Sequence, residues 1–305
     1  MKSKYNTKLL LLIIAIVCAS NVFSQTHNYS YKYNNPYNVN NFTVGVYTGL
    51  DFSVIDAPVG LQFNYMISRL SLEAKFARGF LLSVLGDDSD KVHGIKPLAF
   101  VELTGAIHLV DKAKTKNYKF VLAVSQGYSS TTTTYLPVPV YVRKIFGIRG
   151  GLMRYNINGK VGGKDANNVS YTNYYNMATT SLYGGLLLKT IQDFKINVEG
   201  FRKEKGKKRM REFYLDFMFS PKTNINPTYL QGADDQSTIV IRNTGFRMGW
   251  QWRSTRAFGG HFRLEFGMMP GYAIPKAGLY TMWTTGFNIS TRVAPKGDAV
   301  YAPKK

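Results

Sequence analysis

Apolar and polar residues alternate one by one along most of this chain. The clearest stretch is residues 244–268 (TGFRMGWQWRSTRAFGGHFRLEFGM). Phe246, Met248, Trp250 and Trp252 take one parity there, and Arg247, Gly249, Gln251 and Arg253 take the other. After a short polar break the pattern resumes, with Phe262, Leu264, Phe266 and Met268 against His261, Arg263, Glu265 and Gly267. Successive strand side chains point to opposite faces, so this is a hairpin with one apolar and one charged face. The same rhythm recurs at residues 42–50, 59–67, 70–76, 95–110, 118–125, 141–155, 182–188, 194–198, 213–219 and 279–293.

With the hairpin's two strands, that makes about 12 candidate strands, with 14 as the next count. Breaks are expected at the charged residues 111–117 (DKAKTKN), the Thr-rich 128–138, the polar 156–176, the tight turn 191–193 and the long loop 221–237. No stretch predicts an amphipathic helix. The Asp-rich residues 87–90 read as a solvated loop, because they lack the closing Glu of a calcium loop.

Alternation alone does not say which face meets water, since a periplasmic β-sandwich also alternates. The strands are long and numerous for one soluble core. Aromatics (Trp250, Trp252, Tyr65, Tyr155, Tyr280, Trp283) fall near strand ends, as interfacial girdles do. Full charges occupy the polar face in mid-strand. The expected fold is therefore an all-β, transmembrane antiparallel β-barrel over residues 41–293, closed because hydrocarbon tolerates no unpaired strand edge.

The N-terminus agrees with export. Lys2, Lys4 and Lys8 precede an apolar run and small residues, the layout of a signal peptide ending at residue 24. The apolar run is too short to span a membrane as a helix. Removing 24 of 305 residues leaves 281, takes away Cys18, and lowers the formal charge from +21 to +18 through the loss of three lysines. Residues 25–40 read as a flexible lead-in and 294–305 as a basic tail. A strongly basic exported chain points to acidic partners such as lipid phosphates, lipopolysaccharide or other envelope proteins, and not to nucleic acid.

Four stretches carry a resemblance: VFSQ at 22–25, FGIRGGL at 146–152, FYLDFMFSP at 213–221 and GFNISTR at 286–292. Together they resemble outer-membrane β-barrel proteins of the Bacteroidota. The resemblance implies a cell outer membrane location and a barrel fold, and no activity. Those barrels commonly end in an aromatic on the last strand. This chain instead runs past its last strand to Pro303-Lys304-Lys305, which makes the tail a candidate periplasmic contact.

The polar parity would line the lumen with Lys75, Lys119, Arg149, Lys195, Arg247, Arg253, Arg263 and Arg292 against Glu73, Glu102, Glu199, Asp216 and Glu265. Such a surface fits either a basic pore that favours anions or a narrow barrel closed by ion pairs. Residues 202–212 (RKEKGKKRMRE) read as a solvated turn. Arg202, Lys203, Lys205, Lys207, Lys208 and Arg209 there are candidates for an anionic lipid or partner contact. His27, His93, His108 and His261 show neither metal-ligand spacing nor a serine motif, so no catalytic residue, metal or cofactor is expected. Two functions stay open: a porin-like channel or passive envelope component, and a non-conducting barrel subunit of a larger envelope assembly such as secretion or gliding machinery. A lipid-modifying enzyme is the remote third.

Overall fold

The computed structural model describes residues 29–33, 42–52, 56–67, 69–80, 97–126, 128, 130–164, 168, 170–199, 205–229, 242–271, 279–291 and 299–301. The expected signal peptide, the acidic loop at 87–90, Arg202, Lys203 and Arg292 lie outside them. Every regular element among the described residues is a strand: β1 (Tyr29–Tyr33), β2 (Phe42–Asp51), β3 (Pro58–Ile67), β4 (Leu70–Gly79), β5 (Ala99–Gln126), β6 (Thr131–Lys164), β7 (Ser170–Val198), β8 (Lys205–Tyr229), β9 (Thr244–Ser254), β10 (Phe258–Met268), β11 (Leu279–Thr291) and β12 (Ala299–Tyr301). Among the described residues no helix is long and apolar enough to cross a membrane.

Strands β2 to β11 pair antiparallel, each with its neighbour in the chain, and β11 pairs β2 from Phe42↔Thr291 to Asp51↔Met282, closing the ring. The ring has ten strands, not the expected twelve. The difference lies at two polar breaks. Residues 111–117 do not turn but continue β5, pairing one for one with 139–145 of β6. Residues 191–193 continue β7 opposite 208–210 of β8. The strands run past the end of the ring there, with Lys112, Lys114 and Lys116 exposed and Asp193 buried. Polarity therefore marks the limit of the apolar surface and not a reversal of the chain. For the same reason the polar stretch 156–176 is mostly paired strand. β1 and β12 lie outside the ring: β1 pairs the end of β7, and β12 pairs β1.

The strand ends flanking the short connections at 68–69, 127–130, 199–204 and 255–257 share one rim with the start of β2 and the end of β11, here called the terminal rim. The strand ends flanking the longer connections at 80–98, 230–243 and 269–278 share the opposite rim, here called the loop rim. The shortest wall strands, β2, β3 and β4, have 10 residues each. At about 3.3 Å per residue and a tilt of about 40°, such a strand spans about 25 Å, the height of a transmembrane apolar band.

The burial pattern is inverted relative to a soluble barrel. Exposed positions are apolar: Val46, Leu61, Leu72, Leu103, Ile107, Ile148, Leu186, Phe217, Phe246 and Phe287 ring the outside. Buried positions are often charged: Glu102, Asp216 and Arg247 are each 0% exposed. Trp250, Phe262 and Trp283 form an outward aromatic row with centroids 5.5 and 6.2 Å apart. Tyr155 and Tyr280, expected in an outer girdle, point inward instead. Their hydroxyls bond the Pro270 carbonyl and the Glu265 carboxylate, which accounts for their place on the polar side.

Beyond the terminal rim the β6–β7 ladder stops at Arg143↔Ile191. The β5–β6 hairpin then continues as an arm. Val138, Val140 and Val142 share the outward parity of the exposed Phe146, and Phe194, Ile196 and Val198 share that of the exposed Leu188. Past the rim these outward positions are buried together with Phe120 in one apolar cluster. Two surfaces that face outward along the wall thus face each other below it.

Candidate functional site

Inside the ring, the side chains stack in layers. At the loop rim an apolar, Met-rich layer includes Phe100, Met153, Met177, Met218 and Met282. Near the terminal rim Met66, Ile145, Ile191 and Met210 form a second. A charged layer fills the space between. It exists because inward parity on β4, β5, β6, β8, β9 and β10 places an acid or a base at the same height.

Glu102 is the hub. Its carboxylate lies 2.5 Å from Arg247, 3.2 Å from Lys75, 3.4 Å from Arg263 and 3.6 Å from Arg149. It also accepts a 2.9 Å bond from the Tyr183 hydroxyl. Asp216 meets Arg247 at 2.8 Å and Arg149 at 3.2 Å. Glu265 pairs with Arg263, lies 3.6 Å from Arg247, and accepts hydroxyl bonds from Tyr214 and, at 2.8 Å, Tyr280. Glu73 meets Lys75 at 2.8 Å, and Glu212 meets Lys189 at 3.1 Å and Arg149 at 3.5 Å.

Two tyrosines lie between the guanidiniums as flat spacers. Arg149 lies 3.9 Å over the Tyr214 ring, and Arg247 lies 4.9 Å from that of Tyr183. Both contacts are cation–π stacking in a dry setting. Room for the rings comes from glycine. A Cβ on Gly249 would lie 2.1 Å from the Tyr214 ring, and one on Gly151 2.6 Å from the Tyr183 hydroxyl.

Of the residues expected to line the lumen, Glu73, Lys75, Glu102, Arg149, Asp216, Arg247, Arg263 and Glu265 come together in this network. Arg253 also points inward and is 4% exposed, but it has no ion-pair partner among the described residues. Lys195 and Glu199 are not in the lumen: both are exposed beyond the terminal rim, where strand parity no longer distinguishes lumen from solvent. Lys119 is exposed as well, 4.5 Å over the Tyr135 ring on the arm.

Sequence reasoning missed Glu212 and Lys189. Glu212 belonged to a run that looked like a solvated turn. Lys189 sits on a strand where inward Leu187 and Ile191 and outward Leu186 and Leu188 are all apolar, which erases the alternation.

From Lys205 on, the basic run is strand, not turn. Lys207 and Arg209 face outward under the arm, while Lys208 lies opposite the inward Asp193. Lys205 begins β8. Lys207 packs 4.8 Å over Tyr118, and Arg209 donates to the Gln192 amide oxygen at 2.9 Å. Burial under the arm, then Arg209, Arg211 and Lys116, hold the Lys207 ammonium below the usual lysine pKa.

The two described histidines have cross-strand partners. His261 meets Gln62 at 3.2 Å, and His108 meets the Ser71 hydroxyl at 2.7 Å. The second is a serine–histidine contact that no local motif announces. Lys189 donates to the same hydroxyl at 3.4 Å, and among the described residues Nδ1 of His108 has no acceptor and no carboxylate orients the ring as a triad requires. Ser71 lines a partly open cavity of about 40 Å³, room for about three waters and too little for an ester substrate. No group of metal-ligating side chains occurs among the described residues.

No family model matches the chain, and no curated protein matches it. Several solved structures superimpose loosely. The NanC porin is 7% identical over 81% of this chain and 100% of its own, with a TM-score of 0.31. OprB of Pseudomonas putida is 8% identical over 78% of this chain and 59% of its own, with a TM-score of 0.21. OmpT, an outer-membrane protein of Vibrio cholerae, is 10% identical over 82% of this chain and 96% of its own, with a TM-score of 0.20. Identities and superpositions at this level transfer no role to this chain, and the fold stands on its own ladders.

Proposed function

We propose that the protein is a non-conducting β-barrel of the cell outer membrane that carries a β-structured arm as a part of a larger envelope assembly. The membrane location is supported by the apolar outside, the charged inside, the closed ring and the signal-like N-terminus. A belt of this composition in water would be a very large exposed apolar surface. Lipid, and lipopolysaccharide in the outer leaflet, are its natural neighbours.

The observation that carries the non-conducting reading is the filled lumen. Five acids and five cations (Lys75, Arg149, Lys189, Arg247 and Arg263) pair across it between two apolar layers. Two partly open pockets bordering them measure only about 40 and 10 Å³. A porin-like channel would need a continuous aqueous path, and charges lining one would be hydrated instead of paired. Protein purified in mild detergent and verified as closed by its heat-modifiable gel mobility is expected to give no unitary current steps in planar bilayers. Reproducible steps would overturn the reading. The assembly role is supported by the arm, which extends past the wall with exposed Val124, Tyr128 and Tyr135. Large partners recovered in the same purification are expected.

A further inference from the structure

The cavity of about 40 Å³ lies between the ion-pair network and the terminal rim. Its wall includes Asn64, Ser71, Glu73, Lys189, Glu212 and Arg253. Both acids are engaged: Glu73 by Lys75 and Arg263, Glu212 by Lys189 and Arg149. Arg253 is a sixth cation beside the five balanced pairs. It is 4% exposed, and its Nε has no acceptor among the described residues. Asn64 lines the same cavity, and its buried Nδ2 also has no acceptor among the described residues. Two unmatched donors, one of them charged, converge on a space large enough for one small guest and a water.

The Arg253 charge acts on Glu73, but that carboxylate already serves Lys75 and Arg263, and among the described residues no acid lies at ion-pair distance from Arg253, so its buried guanidinium is left undercompensated. A neutral water would satisfy a donor but not the charge. We propose that the cavity binds a small monovalent anion of halide size, with Arg253 as its counter-charge and the Asn64 amide as a second donor. Bound there, the anion makes the lumen layer electrically neutral. The site rests on the ion-paired lumen and not on the absence of conductance, so the two experiments fail separately.

Bromide is the probe. Crystals of the detergent-purified full chain grown in sodium bromide are expected to show an anomalous scattering peak within hydrogen-bond distance of Arg253, and crystals of Arg253→Gln to lack it. A cavity holding only water in the wild type, or a peak unchanged in Arg253→Gln, would overturn the proposal. If the variant does not close, the wild type supplies the second measurement. Its thermal midpoint is expected to be higher in chloride than in gluconate at equal ionic strength. No difference between the two salts would count against the site as firmly as an empty cavity.

Discussion

Glu102 lies within ion-pair distance of four cations, so its charge is the most heavily used in the lumen. Glu102→Gln keeps the shape and removes the charge, leaving Arg247 and its neighbours undercompensated in a dry interior. Removing one partner of a buried pair costs about 3–5 kcal/mol. The urea midpoint of the variant, followed by tryptophan fluorescence in lipid vesicles, is expected to fall accordingly. An unchanged midpoint would mean that the network is hydrated. Parity alone was enough to place eight of these side chains on the inner face. It could not show that Tyr183 and Tyr214 separate the guanidiniums, since that depends on Gly151 and Gly249 on neighbouring strands. Nor could it show Ser71 against His108, a contact between strands β4 and β5 at positions 37 residues apart in the chain.

At the scale of elements, the arm of β5 and β6 depends on an apolar cluster separate from the lumen. Phe120 is fully buried there, and Tyr118 meets Phe194 edge-on at 5.2 Å. Phe120→Ala removes contacts worth about 3–5 kcal/mol at a well-packed site. Limited proteolysis is expected to cut the arm near residues 118–142 in the variant, while the gel shift of the closed ring persists. Loss of both together would show that arm and ring are one cooperative unit. Twelve alternating segments were visible in the sequence, and they became ten wall strands because two pairs merge across 111–117 and 191–193. An alternating pattern reports which faces are apolar. Where a strand leaves the apolar surface its residues turn polar without turning back, and a true reversal leaves the same trace.

For the whole molecule, the decisive property is a greasy outside around a charged inside. Leu186 is exposed in mid-belt, paired to Ile148 and Leu215. Leu186→Arg in a soluble barrel would be nearly neutral. At the midplane of a bilayer it costs about 2–4 kcal/mol, and less toward the interface. Unfolding in vesicles is expected to show that loss for Leu186→Arg and a smaller one for Phe42→Arg at the terminal rim. Equal, negligible effects at both positions would exclude a lipid-facing belt. Fold class and the direction of the faces could be read from the chain because both follow from a two-residue period. The state of the lumen could not, because whether acids and bases meet or stay apart depends on ring size, and ring size depends on the strand count.

The closing ladder joins β2 to β11, and past the rim β1 meets β12. Residues near the start of the chain thus complete their pairing only with those near its end. The consequence is one of timing. A growing or partly exported chain can zip hairpin to hairpin, but it stays an open curved sheet with two bare edges until residues 279–291 arrive. Chains cut short before that point have no closed form to fall back on, and must be held by something else or cleared.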